Sequence, residues 1–255
     1  TGAVGSDNIL SIPSCESSEE YEEKVYPELI PFLGTPGPEV LFITSCGSVS
    51  GASLQILEKL KEKSKITMMY IIPDRSNLTD LQKLQNNLLF NVFQEYARSS
   101  AFERIILIDN KKAAEIMGAV PVLKFWDTLN TMIASTYHMI NVFDHSHPVF
   151  TTFSNKVNTA RITTIGATPW APETEKEENM FFLLDIPREK RYYYAVPQKM
   201  LEEDETLMTK IQKQVKSAVE HDRMKVGYAI YSTIYDHPYV YCEGYSTLIQ
   251  KNPAS

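Results

Sequence analysis

Val40-Leu-Phe-Ile-Thr-Ser-Cys-Gly-Ser-Val-Ser-Gly51 begins as an apolar run of strand length and ends in small residues. The run that follows, Ala52 to Lys63, carries Leu54, Leu57 and Leu60 at helical spacing. This pattern predicts a strand, a tight loop and a helix. Such a loop can bind phosphate, because glycines let backbone N–H groups approach an anion and the helix start carries a partial positive charge. The alternative is an ordinary βα connection whose small residues allow close packing.

Composition and charge exclude several classes of protein. A chain of 255 residues can bury one large core or two smaller ones, and we expect two packed units. The net charge is −7 and no basic stretch is present, so we expect no direct nucleic-acid ligand. Cys15, Cys46 and Cys242 form neither a disulfide framework nor a zinc motif, which favours a reducing compartment. No apolar run has the length of a membrane span and no secretory signal is present, so we expect a cytoplasmic protein without membrane contact.

Two further apolar runs, Ile66 to Ile72 and Arg104 to Asn110, alternate with the helical run Leu78 to Tyr96. Strands that alternate with helices predict an α/β, doubly wound parallel sheet, in which ligands bind at the carboxyl ends of the strands. The loop after the first strand, Pro73 and Asn110 all follow such ends. In the Leu78 to Tyr96 helix we expect Asn77 to be the N-terminal cap. The apolar stripe expected to face inward consists of Leu81, Leu84, Leu88, Val92 and Phe93.

Pro121 to Ile140 is predicted to be a long helix. Trp126 and Asn130 share one of its faces, where a ring and an amide could stack on and hydrogen-bond a flat heterocycle. The alternative is a buried tryptophan beside a solvated asparagine. The residues expected to face inward are Val122, Phe125, Leu129, Met132 and Ile133.

The remaining sequence predicts a polar loop and then a mixed α+β unit. In the loop Val142 to Pro148, two histidines are too few ligands for a metal site, so we interpret them as loop residues. A helix is expected from Leu201 to Val219, and Asp236 to Pro238 is expected to form a hairpin turn. The expected strands are Arg161 to Gly166, Lys190 to Val196, Met224 to Ile234 and Tyr239 to Leu248. Many tyrosines in this half fit alternating strand faces, with a partner interface as the second interpretation.

The order of these parts resembles the tubulin/FtsZ superfamily, and most nearly its bacterial and phage members of the TubZ and PhuZ type. Ser45-Cys-Gly-Ser-Val-Ser-Gly51 matches the glycine-rich loop Gly-Gly-Gly-Thr-Gly-Ser-Gly of that family, and Gly2-Ala-Val-Gly-Ser-Asp-Asn8 is similar to its Gly-Ala-Gly-Gly-Asn loop. Asp109-Asn110 ends a strand as the family's Asp-Asn does. Trp126 and Asn130 fall where the family's core helix carries its guanine-binding residues.

The resemblance implies a Rossmann-like GTP-binding domain with a parallel sheet, a long core helix and a second α+β activation domain. The implied boundaries are 1–120 for the nucleotide-binding domain, 121–140 for the core helix and 141–255 for the activation domain, which starts with the catalytic loop. The family's first strand, with a glycine loop of its own, is expected to precede Thr1.

The same resemblance implies the site. Asp144 is the candidate catalytic carboxylate, with Asn141 beside it, and no protein residue is implied as a metal ligand. The implied cofactors are GTP or GDP and Mg²⁺. The implied nucleotide-binding residues are Gly2, Ala3, Gly5, Ser6, Cys46, Gly47, Ser48, Val49, Ser50, Gly51, Pro73, Asn110, Trp126 and Asn130.

The implied function is a cytoskeletal GTPase that polymerises head-to-tail and hydrolyses GTP at the subunit interface. Its partners would be further copies of itself and an adaptor, or phage or plasmid cargo. Two alternatives stay open. One is a non-hydrolysing assembly protein of the same fold, and the other is an unrelated α/β enzyme that binds a phosphate.

Overall fold

A computed structural model describes residues 9–170, 179–219 and 223–253. The chain divides into two compact units. The first comprises the residues up to Lys111 together with Lys251–Ser255, and the second comprises Lys112–Gln250. In the described residues no helix combines the length and apolar character needed to cross a membrane.

The first unit contains the predicted parallel strands. They are β1 (Glu39–Thr44), β2 (Lys65–Ile72) and β3 (Arg104–Asp109), hydrogen-bonded in that order and parallel to one another. The middle of β3 is buried on both faces, from Ile105 to Ile108. This is the pattern of a strand covered on both sides of a parallel sheet.

Short helices surround these strands. They are α1 (Ser18–Glu23), α2 (Leu29–Leu33), a 3-10 turn (Ser48–Ala52) that leads into α3 (Ser53–Lys61), α4 (Asp80–Arg98) and α5 (Asn110–Met117). Pro27 lies between α1 and α2, and it disfavours helical backbone at the residue before it, so the two helices stay separate. Asn110 begins α5 and does not end the strand.

The buried face of α4 includes Phe93, as predicted, but not the leucines of the predicted stripe. Phe90 and Phe93 pack on Tyr70, with ring centroids 6.2 and 5.6 Å from its ring, and these aromatic contacts decide which way the helix faces. Leu81, Leu84 and Leu88, expected to face inward, are instead 63–66% exposed. The N-cap is Thr79, which forms a capping box with Gln82, so the prediction of Asn77 as the cap is also wrong.

The described residues of the second unit form the strands β4 (Phe150–Thr151), β5 (Ile162–Pro169), β6 (Glu189–Pro197), β7 (Lys225–Thr233) and β8 (Tyr239–Ser246). They are hydrogen-bonded in the order β5-β8-β6-β7-β4. β8 is antiparallel to β5 and β6, and β6 is parallel to β7. The predicted hairpin between the last two strands is wrong, because β6 lies between them. β6 is buried from its first residue to Val196 and therefore takes the central position.

The helices of this unit are α6 (Phe125–Asp144), α7 (Gln198–Glu203) and α8 (Leu207–Ser217). α6 extends past the predicted end, so Asn141 and Asp144 belong to a helix and not to a loop. Val122 lies in a 3-10 turn before α6 and is 88% exposed, so its inward prediction is wrong. Leu129 and Ile133 are buried as expected. The helix expected over Leu201 to Val219 is divided between α7 and α8.

The tyrosines of β6 belong to the core. Tyr192, Tyr193 and Tyr194 are each at most 2% exposed. Tyr192 and Tyr194 join a cluster that includes Trp170 and Ile211. These three rings therefore support the strand-face interpretation and not the partner interface.

Gly51→Ala is expected to destabilise the first unit by about 1–3 kcal/mol, the usual cost of inserting a methyl group into a packed site. A Cβ at Gly51 would lie 2.0 Å from the backbone carbonyl oxygen of Ser18 in α1, so backbone would have to move. The matched control is Gly47→Ala, because a Cβ at that position meets nothing within 4 Å. Urea unfolding of the two variants measures the difference, and equal stabilities would contradict this close approach.

Candidate nucleotide-binding site

The predicted phosphate loop forms a turn between β1 and α3. Gly47, Ser48 and Val49 are exposed, and Val49 is 54% accessible. Cys46 is buried, and burial raises the pKa of its thiol, so it packs as a neutral side chain. The first N–H groups of a helical turn have no partner within the helix, so the start of this exposed turn offers backbone donors that a ligand could use.

The other small residues of the loop are used internally. The Ser50 hydroxyl and the Ser50 backbone N–H both donate to the carbonyl oxygen of Gly47, the N–H at 2.8 Å. The Ser45 hydroxyl donates to the carbonyl oxygen of Ile71 at 2.6 Å, which fixes the turn to β2. Gly51 packs against α1. Of the predicted phosphate-binding residues in this loop, Gly47, Ser48 and Val49 face solvent, and Ser50 and Gly51 shape the turn.

Pro73 and Asn110 follow the ends of neighbouring parallel strands, since Ile72 of β2 pairs with Asp109 of β3. The prediction that these segments share the carboxyl edge of the first unit's sheet is confirmed. Asp74, next to Pro73, accepts hydrogen bonds from the Ser76 N–H at 2.9 Å and the Ser76 hydroxyl at 2.8 Å. These bonds, the backbone one most strongly, lower the pKa of the Asp74 carboxyl.

Trp126 and Asn130 of α6 lie on an exposed face, and Trp126 is 62% accessible. The alternative of a buried tryptophan is therefore wrong. The Trp126 ring is held edge-on by Phe125, with ring centroids 5.2 Å apart and an interplanar angle of 89°. An exposed ring and amide four residues apart on one helix can contact a planar heterocycle.

Asp144 is the last residue of α6, and its side chain is 23% exposed. Its Oδ1 accepts a hydrogen bond from the Tyr193 hydroxyl at 2.8 Å, and its Oδ2 lies 3.2 Å from the Lys156 ammonium. Asn141 is exposed, and its carbonyl oxygen lies 2.8 Å from Nδ1 of His145. Lys156 and Tyr193 were not predicted as site residues, because no local sequence pattern links them to Asp144.

Some predicted residues lie outside the described part of the chain. They are Gly2, Ala3, Gly5 and Ser6. Among residues 9–170, 179–219 and 223–253, no group of three or more His, Cys, Asp or Glu side chains is arranged to hold a metal ion.

Comparison with known proteins finds similarity in structure only. No family model matches the sequence, and no curated protein matches it. A GTPγS-form protofilament of TubZ from Bacillus thuringiensis serovar israelensis is similar with a TM-score of 0.64 and 14% identity, covering 89% of this chain and 70% of that chain. CetZ2 from Haloferax volcanii is similar with a TM-score of 0.57 and 15% identity, covering 86% of this chain and 68% of that chain.

An FtsZ dimer from M. jannaschii is similar with a TM-score of 0.55 and 12% identity, covering 90% of this chain and 68% of that chain. The chain spans 60–64% of the length of the chains in other TubZ structures. The same fold is thus found in TubZ, CetZ and FtsZ structures at low sequence identity. The chain has a tubulin/FtsZ-like fold.

Proposed function

We propose that this protein is a GTPase that assembles head-to-tail into filaments and hydrolyses GTP where two subunits meet. The observation that carries the proposal is the exposed turn Gly47 to Val49 at the carboxyl end of β1, where ligands bind in parallel α/β sheets. The TubZ and CetZ2 structures with this fold are protofilaments in GTPγS form, which supports a guanine nucleotide as the ligand and self-assembly as its context.

Each unit carries residues that suit part of a nucleotide. The open space at Gly47 and the backbone N–H groups of the exposed residues Ser48 and Val49 suit the phosphates, because donors at the start of a helical segment favour an anion. Trp126 and Asn130 suit the base, by stacking and by a hydrogen bond to its edge. Pro73 and Asn110 are proposed as further contacts. Gly2, Ala3, Gly5 and Ser6 stay predictions from the resemblance.

Mg²⁺ is proposed to enter with the nucleotide. The described residues assemble no carboxylate cluster for it, and Mg²⁺ is commonly bound through substrate phosphates and water. It would neutralise phosphate charge. The protein's own part is to hold the phosphates and to place a carboxylate near the attacking water.

Asp144 is the proposed catalytic carboxylate, and Asn141 accompanies it at the end of α6. Phosphoryl transfer to water depends mainly on positioning and charge stabilisation. If a carboxylate from one subunit completes the site of the next, hydrolysis requires assembly. A head-to-tail contact that does not close produces a filament. We propose that such filaments act in the cytoplasm and move phage or plasmid cargo, directly or through an adaptor.

The experiment is phosphate release with Mg²⁺ and GTP over a range of protein concentrations, with ATP as the control nucleotide and pelleting measured in parallel. We expect release that is specific for GTP and begins above a threshold concentration at which the protein also pellets. GTP-dependent pelleting without phosphate release would identify a non-hydrolysing assembly protein. A rate proportional to concentration without pelleting would identify a self-contained enzyme and contradict the proposal.

A further inference from the structure

A cluster of charged and phenolic side chains surrounds Asp144 at the end of α6 in the second unit. Tyr193 of β6 contacts Oδ1 of Asp144, and Lys156 contacts Oδ2, at 2.8 and 3.2 Å. Both carboxylate oxygens are therefore held, but by different partners. Each oxygen retains a second acceptor position, and the side chain is 23% exposed, so it can still accept a proton from outside the cluster.

Tyr193 is fixed in place and remains protonated. Its ring is fully buried and lies between Phe143, at 6.3 Å in a stacked arrangement, and Phe153, at 5.1 Å edge-on. Burial, followed by the nearby carboxylate of Glu243, raises the pKa of its hydroxyl well above the ordinary value, so the group acts as a hydrogen-bond donor at neutral pH.

Glu243 of β8 is fully buried and lies on the side of the cluster away from solvent. Its Oε2 lies 2.7 Å from the Tyr193 hydroxyl, 2.6 Å from the Tyr245 hydroxyl and 3.8 Å from the Lys156 ammonium. A phenol has one proton to donate, and Tyr193 lies within reach of two carboxylates. The Tyr245 hydroxyl also donates a hydrogen bond to Glu243. Glu243 therefore does not depend on Tyr193 for a donor, and the Tyr193 hydroxyl can donate its hydrogen bond to Asp144.

The backbone around Lys156 is anchored on both sides. The Arg191 guanidinium donates to the carbonyl oxygen of Ser154 at 2.6 Å, and the Val157 N–H donates to Oε2 of Glu189 at 2.9 Å. The Lys225 ammonium donates to the carbonyl oxygen of Asn155. These contacts hold the backbone of the segment that carries Lys156 against β6 and β7. The Lys156 side chain therefore extends to Asp144 from a fixed backbone position.

We propose that Lys156 and Tyr193 are positioning residues that hold the Asp144 carboxylate in one orientation for GTP hydrolysis. This inference rests on the proposed function, in which Asp144 is the catalytic carboxylate. A carboxylate at the end of a helix can otherwise rotate about two side-chain bonds, and a loosely held group loses much of the advantage of preorganisation.

The test is steady-state phosphate release by Lys156→Met and Tyr193→Phe. Each is expected to lower kcat about tenfold, because misplacement of a catalytic group by about 1 Å can cost up to about a hundredfold in rate. The KM for GTP and the threshold concentration for pelleting should stay unchanged, because neither residue is proposed to contact nucleotide. Lys156→Arg keeps a cation near Oδ2 and should recover most of the rate. Lys83→Met is the control, since Lys83 forms a similar ion pair with Asp80 on the exposed surface of α4.

A double-variant comparison separates positioning from general destabilisation. If Lys156 acts through Asp144, Lys156→Met should have no further effect on kcat in an Asp144→Asn background. The same fractional loss in both backgrounds would overturn the inference, as would wild-type rates in both single variants. If the wild-type chain pellets with GTP but releases no phosphate at any concentration, the proposed hydrolysis fails and this inference fails with it.

Discussion

Asp144→Asn is expected to slow phosphate release by about a hundredfold or more, within the range that general acid–base groups contribute. The substitution keeps the shape of the side chain and its hydrogen bond with Tyr193, but the amide cannot accept a proton from water. Assembly should persist, because the charge change is confined to a side chain that is 23% exposed. Phosphate release and pelleting, measured on the same samples, separate the two properties.

The matched control is Asp80→Asn. Asp80 also pairs with a lysine, at 3.0 Å, but its side chain is fully exposed in the first turn of α4. Its replacement should leave the rate of hydrolysis unchanged. Unchanged release by Asp144→Asn would show that this residue is not the catalytic carboxylate, while the assembly proposal would stand on its own pelleting data.

Glu189→Ala is expected to lower the free energy of unfolding by about 3–5 kcal/mol, the cost of breaking a buried ion pair from one side. Glu189 is 2% exposed, and its Oε1 accepts a hydrogen bond from Nε of Arg191 at 2.6 Å. Removal of the carboxylate leaves a buried guanidinium without its anion and also frees the Val157 N–H. Urea unfolding monitored by tyrosine fluorescence reports on this unit, because its core is rich in tyrosine.

Two further variants test the cause. Glu203→Ala breaks an exposed pair with Lys199, whose atoms are 4.0 Å apart, and should change stability by less than about 0.5 kcal/mol. The double replacement Glu189→Met with Arg191→Leu should recover much of the loss, since apolar residues of similar volume need no counter-charge. A double variant as unstable as Glu189→Ala would contradict the ion-pair explanation.

Local patterns were sufficient for the parallel strands of the first unit. β1, β2 and β3 were predicted because apolar runs of strand length were separated by helical repeats, and the parallel order follows from that alternation. The exposed turn after β1 was predicted for the same reason, since small residues between a strand and a helix mark such a connection. Trp126 and Asn130 share an exposed face because residues four apart are neighbours on any helix.

Local sequence patterns did not show which of several apolar faces of an element becomes buried. In α4 two apolar stripes are possible, and the aromatic packing of Phe90 and Phe93 on Tyr70 selects one of them. In the second unit the order of the strands depends on pairing between strands that are not consecutive in sequence. β6 lies between β7 and β8 although those two follow each other in sequence.

By itself the sequence determined the α/β alternation, the parallel strands of the first unit and the tubulin/FtsZ resemblance, because these depend on spacing along the chain. Only the tertiary structure decided that Ser50 and Gly51 shape the loop while Gly47 to Val49 face solvent. It also decided that Asp144 lies at the end of a helix between Tyr193 and Lys156. Those contacts join residues far apart in sequence, so they exist only once the sheet and α6 are packed together.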